Sequence, residues 1–135
     1  MLRWRAARAR DRGSMAVEFV FLAPLLLVLM LFMVFAGRVV EAKSQVDGAV
    51  RDGARAASIA RTSGDAVAGA QTAVKTDAGW CTSVPMVNGW TVAGSQPVTV
   101  TLNCTLNMGF LGFGFGSVNV HGFAVAPMDP FVARN

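Results

Sequence analysis

The sequence predicts an α+β fold: a long N-terminal helix, transmembrane in its first half, plus a second helix and a small antiparallel sheet of about three strands. Three observations predict it. The 19 residues from Phe19 to Gly37 carry no charge. Small residues then recur at helical spacing from Val39 to Ala60. From Val98 to Leu106 apolar and polar residues alternate without a break.

The uncharged run lies between Glu18 and Arg38 and is rich in Leu, Met, Phe and Val. At 1.5 Å per residue it spans about 28 Å as a helix, close to the ~30 Å hydrocarbon thickness of a bilayer. In so small a protein, a helix that is apolar on every face suits lipid better than a soluble core. Pro24 falls inside the run, where a membrane helix tolerates it and can kink. A cleavable secretory signal is the rival reading. Its apolar region is normally about 7–15 residues, and the nearest small-x-small site, Val34-Phe35-Ala36, is weak.

The helix is expected to continue past Arg38. Val39, Ala42, Val46, Ala49, Gly53, Ala56 and Ala60 follow one another at three- and four-residue steps, a helical stripe. Small residues let a partner approach closely. Most of the stripe is read as packing on the protein's own sheet, with neighbouring subunits of a filament as the sharper alternative. The opposite face carries Glu41, Lys43, Asp47, Arg51, Asp52 and Arg55. Asp47 and Arg51 are spaced for an i,i+4 ion pair. Thr62-Ser63-Gly64-Asp65 offers a new N-cap, and a second helix is expected from about Asp65 to about Thr76. Residues 84–96 read as turns around a short strand near Trp90-Thr91-Val92.

The clearest strand puts Val98, Val100, Leu102, Cys104 and Leu106 on one face and Thr99, Thr101, Asn103 and Thr105 on the other. Ser117 to Ala126 reads as a last strand. In it Val118 and Val120 share a face, and a bulge at Gly122 would move Phe123 and Val125 onto that face too.

Composition agrees with a chain partly in lipid: 53% of its 135 residues are hydrophobic and 15% are charged. The net charge of +4 is confined to one arm. Arg3, Arg5, Arg8, Arg10 and Arg12 stand against Asp11 before Ser14, and the remainder balances. Basic residues beside a membrane segment orient it with that end inside. This is preferred to a nucleic-acid arm, the competing reading of such a cluster. Cys81 and Cys104 both follow the apolar run, and a lone pair in a translocated domain reads as one disulfide. It would pin the end of the second helix to the sheet.

The stretch Gly13-Ser14-Met15-Ala16-Val17-Glu18-Phe19 is the most informative in the chain. A carboxylate at the edge of lipid is expensive and is by default a functional hypothesis. A cut after Gly13 gives Ser14 a free α-amine able to neutralise Glu18 of an adjacent subunit in low dielectric. The plain alternative is a Glu18 that snorkels to water in the headgroup zone.

Gly13, with Glu18 five positions on and then Phe19, resembles the processing motif of Tad (Flp-type) pilins and their TadE/TadF pseudopilins. Leu22-Ala23-Pro24-Leu25 continues a TadE-like opening. Ala49-Val50-Arg51-Asp52-Gly53-Ala54-Arg55 is similar to the family's Ala-Ala-Arg-Glu-Gly-Ala-Arg element. Ala126-Pro127-Met128-Asp129-Pro130-Phe131 resembles the tail of actinobacterial members. The specific part covers roughly residues 12–60. Phe19 stands where major pilins usually have Tyr, which favours a TadE-like pseudopilin or minor pilin, as does a length between those of the short Flp pilins and the long TadG-type proteins.

The resemblance implies a processing site at Gly13 and Ser14, cut by a prepilin peptidase, and an assembly and processing motif at Glu18 and Phe19. It implies a basic cytoplasmic leader over residues 1–13, a transmembrane helix over 14–37 and an exported pilin-like domain over 38–135. The expected function is to help prime, assemble or cap a Tad-type pilus at the cell envelope, with a bearing on cell adhesion. Expected partners are membrane lipid, the prepilin peptidase, and other pilus subunits and assembly proteins, with no nucleic acid and no small-molecule substrate. The alternative is a membrane-anchored extracellular binding or structural protein unrelated to pili. A third class is a secreted protein whose signal ends near Ala36.

Other motifs carry little chemistry. Gly109-Phe110-Leu111-Gly112-Phe113-Gly114-Phe115-Gly116 is not a dinucleotide fingerprint, since no βαβ unit frames it. It reads equally as a loop over an apolar surface or as a contact patch. Asn103-Cys104-Thr105 fits a glycosylation sequon by chance, in a strand and around a disulfide cysteine. His121 is the sole histidine and has no nearby partner in sequence, so structural zinc is not expected. No nucleophile–base pair, metal cluster or phosphate loop is seen. The expectation is no catalytic residue, no cofactor, no metal and no enzymatic activity.

Overall fold

The computed structural model describes residues 4–107, 109 and 116–134. It is α+β: α1 (Trp4–Ser58), α2 (Ser63–Asp77), β1 (Met86–Asn88), β2 (Val98–Asn107) and β3 (Ser117–Ala126). The strands form one antiparallel sheet in the order β1-β2-β3. The chain divides into two compact units, Met1–Arg38 and Val39–Asn135.

In the first unit α1 runs through Pro24, and every residue from Val17 to Val34 is exposed. This helix is long and apolar enough to cross a membrane. Its apolar side chains have no protein core to enter, and lipid is the solvent that suits them.

In the second unit α1 buries Ala42, Val46, Ala49, Val50, Ala54 and Ala57. These positions trace one broad helical face, and they place the small-residue stripe inside the unit, as the intramolecular reading expects. The face meets both α2 and the sheet. A Cβ built on Gly53 would lie 3.3 Å from Ala70 Cα, and one on Gly69 would lie 3.1 Å from Ala56 Cβ. The two helices therefore approach to a distance that only small residues permit. α2 begins two residues before the expected start. Thr62 caps it by accepting a hydrogen bond from the Asp65 amide at 3.1 Å, which satisfies one of the four orphan donors of the first turn.

β2 buries Val98, Val100, Leu102 and Cys104, and β3 buries Val120, Gly122 and Ala124 against the same core. Leu102 is the largest fully buried side chain, so the core is mostly alanine and valine.

Three local expectations fail. The short strand is Met86–Asn88, not Trp90–Val92. Gly89 ends it at φ +81°, and a turn closes from the Gly94 amide to the Thr91 carbonyl at 3.1 Å. Trp90 packs half-buried against the core instead of continuing the sheet. Second, β3 has no bulge at Gly122. Its pairing with β2 is continuous from Val98↔Ala126 to Asn107↔Ser117. Phe123 and Val125 therefore stand on the outer face, 59% and 50% exposed. Gly122 serves close packing: a Cβ there would lie 2.5 Å from Val46 Cγ1 and 3.2 Å from the Val46 carbonyl oxygen. Third, Asp47 pairs with Lys43 at 3.2 Å and not with Arg51. In the Phe/Gly segment, Gly109 and Gly116 are described and residues 110–115 lie outside the described residues.

Candidate functional site

Gly13 and Ser14 fall within the helical span of α1, and Glu18 follows Ser14 by one turn. Residues i and i+4 of a helix share a face. Glu18 is exposed, as is Phe19, and among the described residues Glu18 forms no ion pair. The run that follows is exposed and uncharged. Helix geometry thus sets a single carboxylate at the boundary of the apolar surface, one turn from the residue that resembles the mature N-terminus of the pilin families. Such an arrangement can hold a charge at a fixed depth and present it to a cation on another chain.

The second unit is held by links that join its elements across long sequence distances. Cys81 and Cys104 form a disulfide with Cα atoms 5.3 Å apart. It ties the end of α2, where the Cys81 amide donates to the Ala78 carbonyl at 2.8 Å, to the middle of the sheet. One residue earlier, Trp80 Nε1 donates to Gln45 Oε1, joining the same corner to α1.

The C-terminal segment closes the far end of α1. Arg134 Nη2 donates to the carbonyl of Ser58 at 3.1 Å and to that of Asp129 at 2.7 Å. Ser58 is the last residue of α1, so the guanidinium satisfies a carbonyl the helix leaves open and sits at the negative end of its dipole. Met128 is buried in the core beside this tie. Sequence reading missed Arg134, because its partner is 76 residues away. The one available signal was a cation close behind the Pro-Met-Asp-Pro turn.

His121 does have a partner: its Nδ1 lies 2.8 Å from Asn103 Oδ1 across the β2–β3 pair. Thr105 Oγ1 donates to Asn119 Oδ1 at 3.0 Å in the next outward-facing pair. Asn103 of the sequon match is therefore engaged in a cross-strand contact on an exposed sheet face. Lys43 of α1 donates to the His121 carbonyl at 2.9 Å in addition to pairing with Asp47.

No curated protein and no solved structure gives a significant match to the chain. One family model does match, and it covers residues 13–55. The matched segment opens on Gly13, carries Glu18, Phe19 and the apolar run, and ends within the helical face that packs the second unit. Its description is TadE-like protein, and over this segment the chain is similar to that family.

Proposed function

We propose that this chain is a minor pilin or pseudopilin that helps prime, assemble or cap a Tad-type pilus. The observation that carries the reading is the placement of Gly13, Glu18 and Phe19 at the mouth of an exposed, uncharged helical run, inside the segment that matches the TadE-like family. A plain membrane anchor has no use for the pairing of Gly13 with Glu18 at that spacing.

On this reading a prepilin peptidase cuts between Gly13 and Ser14, which leaves residues 14–135. Gly13 lies within α1, and the peptidase must open the helix there to reach the bond. Glycine makes that opening cheaper by about 1 kcal/mol relative to alanine. The new α-amine then lies at the start of the helix, where the dipole favours Glu18 one turn on. The arginine-rich arm stays in the cytoplasm, and the second unit stands outside the membrane with its disulfide in an oxidising compartment. Partners are membrane lipid, the peptidase, and other pilus subunits and assembly proteins. The reading assigns the chain no catalytic role.

The intact mass of the protein extracted from membranes tests this. Expected is the mass of residues 14–135 less the two hydrogens of one disulfide. A full-length mass would leave an uncleaved anchor unrelated to pili. A chain beginning after Ala36 would be a secreted protein. Either result overturns the proposal.

A further inference from the structure

In the Val39–Asn135 unit β3 runs beside α1 in the same direction. Lys43 donates to the His121 carbonyl, Gly122 packs on Val46, and the segment after β3 reaches Ser58 through Arg134. The strand therefore enters from the Val39 end of the unit and leaves toward the Ser58 end. Its entry reaches far down. From Gly122 back to Ser117 is about 17 Å at the rise of a strand. From Val46 back to Val39 is about 10 Å at the rise of a helix. The end of the sheet where Asn107 pairs with Ser117 thus extends at least as far as Val39 does. Val39 follows Gly37, the last residue of the uncharged run, by two positions. Chain continuity alone makes this the lipid side of the unit wherever the run spans a bilayer.

The chemistry of that end suits lipid. From Ala78 to Met128 the sequence has no Asp, Glu, Lys or Arg. Leu106 and Val118 form the last apolar pair on the core face of the sheet, and both are only half-buried. Cys104 and Val120, the preceding pair on that face, are buried. The core is open toward the Val39 end, where Val40 is also exposed. Between Asn107 and Ser117 the sequence supplies Phe110, Leu111, Phe113 and Phe115 and no charge. The opposite end is the charged one, with Arg61, Asp65, Asp129 and Arg134 around the close of α1.

We propose that the Asn107 and Ser117 end of the sheet is a lipid-contact surface, seated in the headgroup layer of the outer leaflet with Leu106 and Val118 at its rim. The proposal rests on the reading that the uncharged run of α1 spans the bilayer. An end without ions enters that layer with no charge to desolvate. An exposed apolar surface that continues from a membrane segment marks contact with the same membrane. The opposite end, with its four ionic side chains, would pay that cost and stays in water.

Quenching by nitroxide lipids tests this on the full chain in phosphatidylcholine–phosphatidylglycerol vesicles. A bimane probe is placed on one introduced cysteine at a time, with the native disulfide kept oxidised and checked by mass. Ser117→Cys and Asn107→Cys replace exposed residues at the proposed surface. Phe131→Cys, 94% exposed in the wild type, reports the opposite end. Nitroxide near the headgroups should quench the probes at 117 and 107 several-fold more than the probe at 131. Leu27→Cys, within the run, reports the span separately through nitroxide deep in the acyl chains. Quenching at 27 with none at 107 or 117 overturns the proposal and leaves the span standing. Equal quenching at 117 and 131 overturns it too. So does a probe at 117 that is shielded from iodide in water yet untouched by nitroxide lipid, since another protein chain would then cover it. No quenching at 27 overturns the span and the proposal together.

Discussion

Gly122 of β3 lies directly beneath Val46 of α1, so close that a β-carbon at 122 would stand 2.5 Å from Val46 Cγ1. The contact sets the distance between helix and sheet, and both residues are buried. Gly122→Val is expected to push α1 off the sheet and to cost about 1–3 kcal/mol, the usual range for overpacking a filled core. Gly122→Ala should cost less, since part of the strain is relieved by rotation of Val46. Thermal unfolding of the two variants should rank them in that order. Equal melting temperatures for wild type and Gly122→Val would mean that α1 does not pack on β3.

Arg134 is a second such tie. It donates to carbonyls of both Ser58 and Asp129, and so holds the C-terminal segment to the end of α1. Hydrogen bonds from a charged donor contribute about 1.5–3 kcal/mol, and Arg134 is only half-buried, so the lower part of that range applies. Arg134→Ala should lower stability by about 1–2 kcal/mol and raise amide exchange near residues 128–134 before it affects β2. Arg134→Lys supplies one donor group where a planar fork bridged two carbonyls, and should recover part of the loss. Exchange measured by mass spectrometry separates the local effect from the global one.

The disulfide joins Cys81 and Cys104 at a sequence separation of 23. A bridge of that span stabilises on the order of 3 kcal/mol by restricting the unfolded chain, a large share of what a small alanine- and valine-rich core provides. Cys104 is buried, so Cys104→Ala leaves a small apolar residue in the core, while Cys81→Ser changes a half-buried corner. Both should lower the denaturant midpoint by a similar amount, because each removes the same cross-link. A double variant no worse than either single one would confirm that the link is lost once.

How much was readable beforehand depended on how local the cause was. β2 was legible because Val98 to Leu106 alternate on a half-buried face, a signal contained in nine residues. The helical stripe of α1 was legible for the same reason, and so was the Thr62 cap. The Gly13, Glu18 and Phe19 motif rested on a resemblance, and the segment that matches the TadE-like family contains those three residues. β1 was misplaced because Trp90-Thr91-Val92 has strand propensity, while Gly89 and the Thr91–Gly94 turn end the strand sooner. Gly122 was read as a bulge because its role depends on Val46, far away in sequence. Lys43, Gln45 and Arg134 were invisible as ties, since each bonds to a residue at least 35 positions distant.

The last expectation concerns Glu18 and separates assembly from folding. Glu18 is exposed at the start of the apolar run, among the described residues it forms no ion pair, and it belongs to the unit that ends at Arg38. The core of the other unit begins at Ala42, and Glu18 is not part of it. In lipid a lone carboxylate is costly, and a cation at the same depth on a neighbour relieves that cost only when the chains associate. Ser14 of the same chain is one turn away on the same face, so its amine after cleavage competes with a neighbour's for Glu18, and co-purification tells the two apart. Glu18→Gln keeps size and hydrogen bonding and removes the charge. The variant should insert, lose residues 1–13, form its disulfide and melt as wild type does, yet co-purify several-fold less with pilus components. Co-purification equal to wild type would reduce Glu18 to an interfacial residue. A lower melting temperature of the Val39–Asn135 unit would place its role in folding instead.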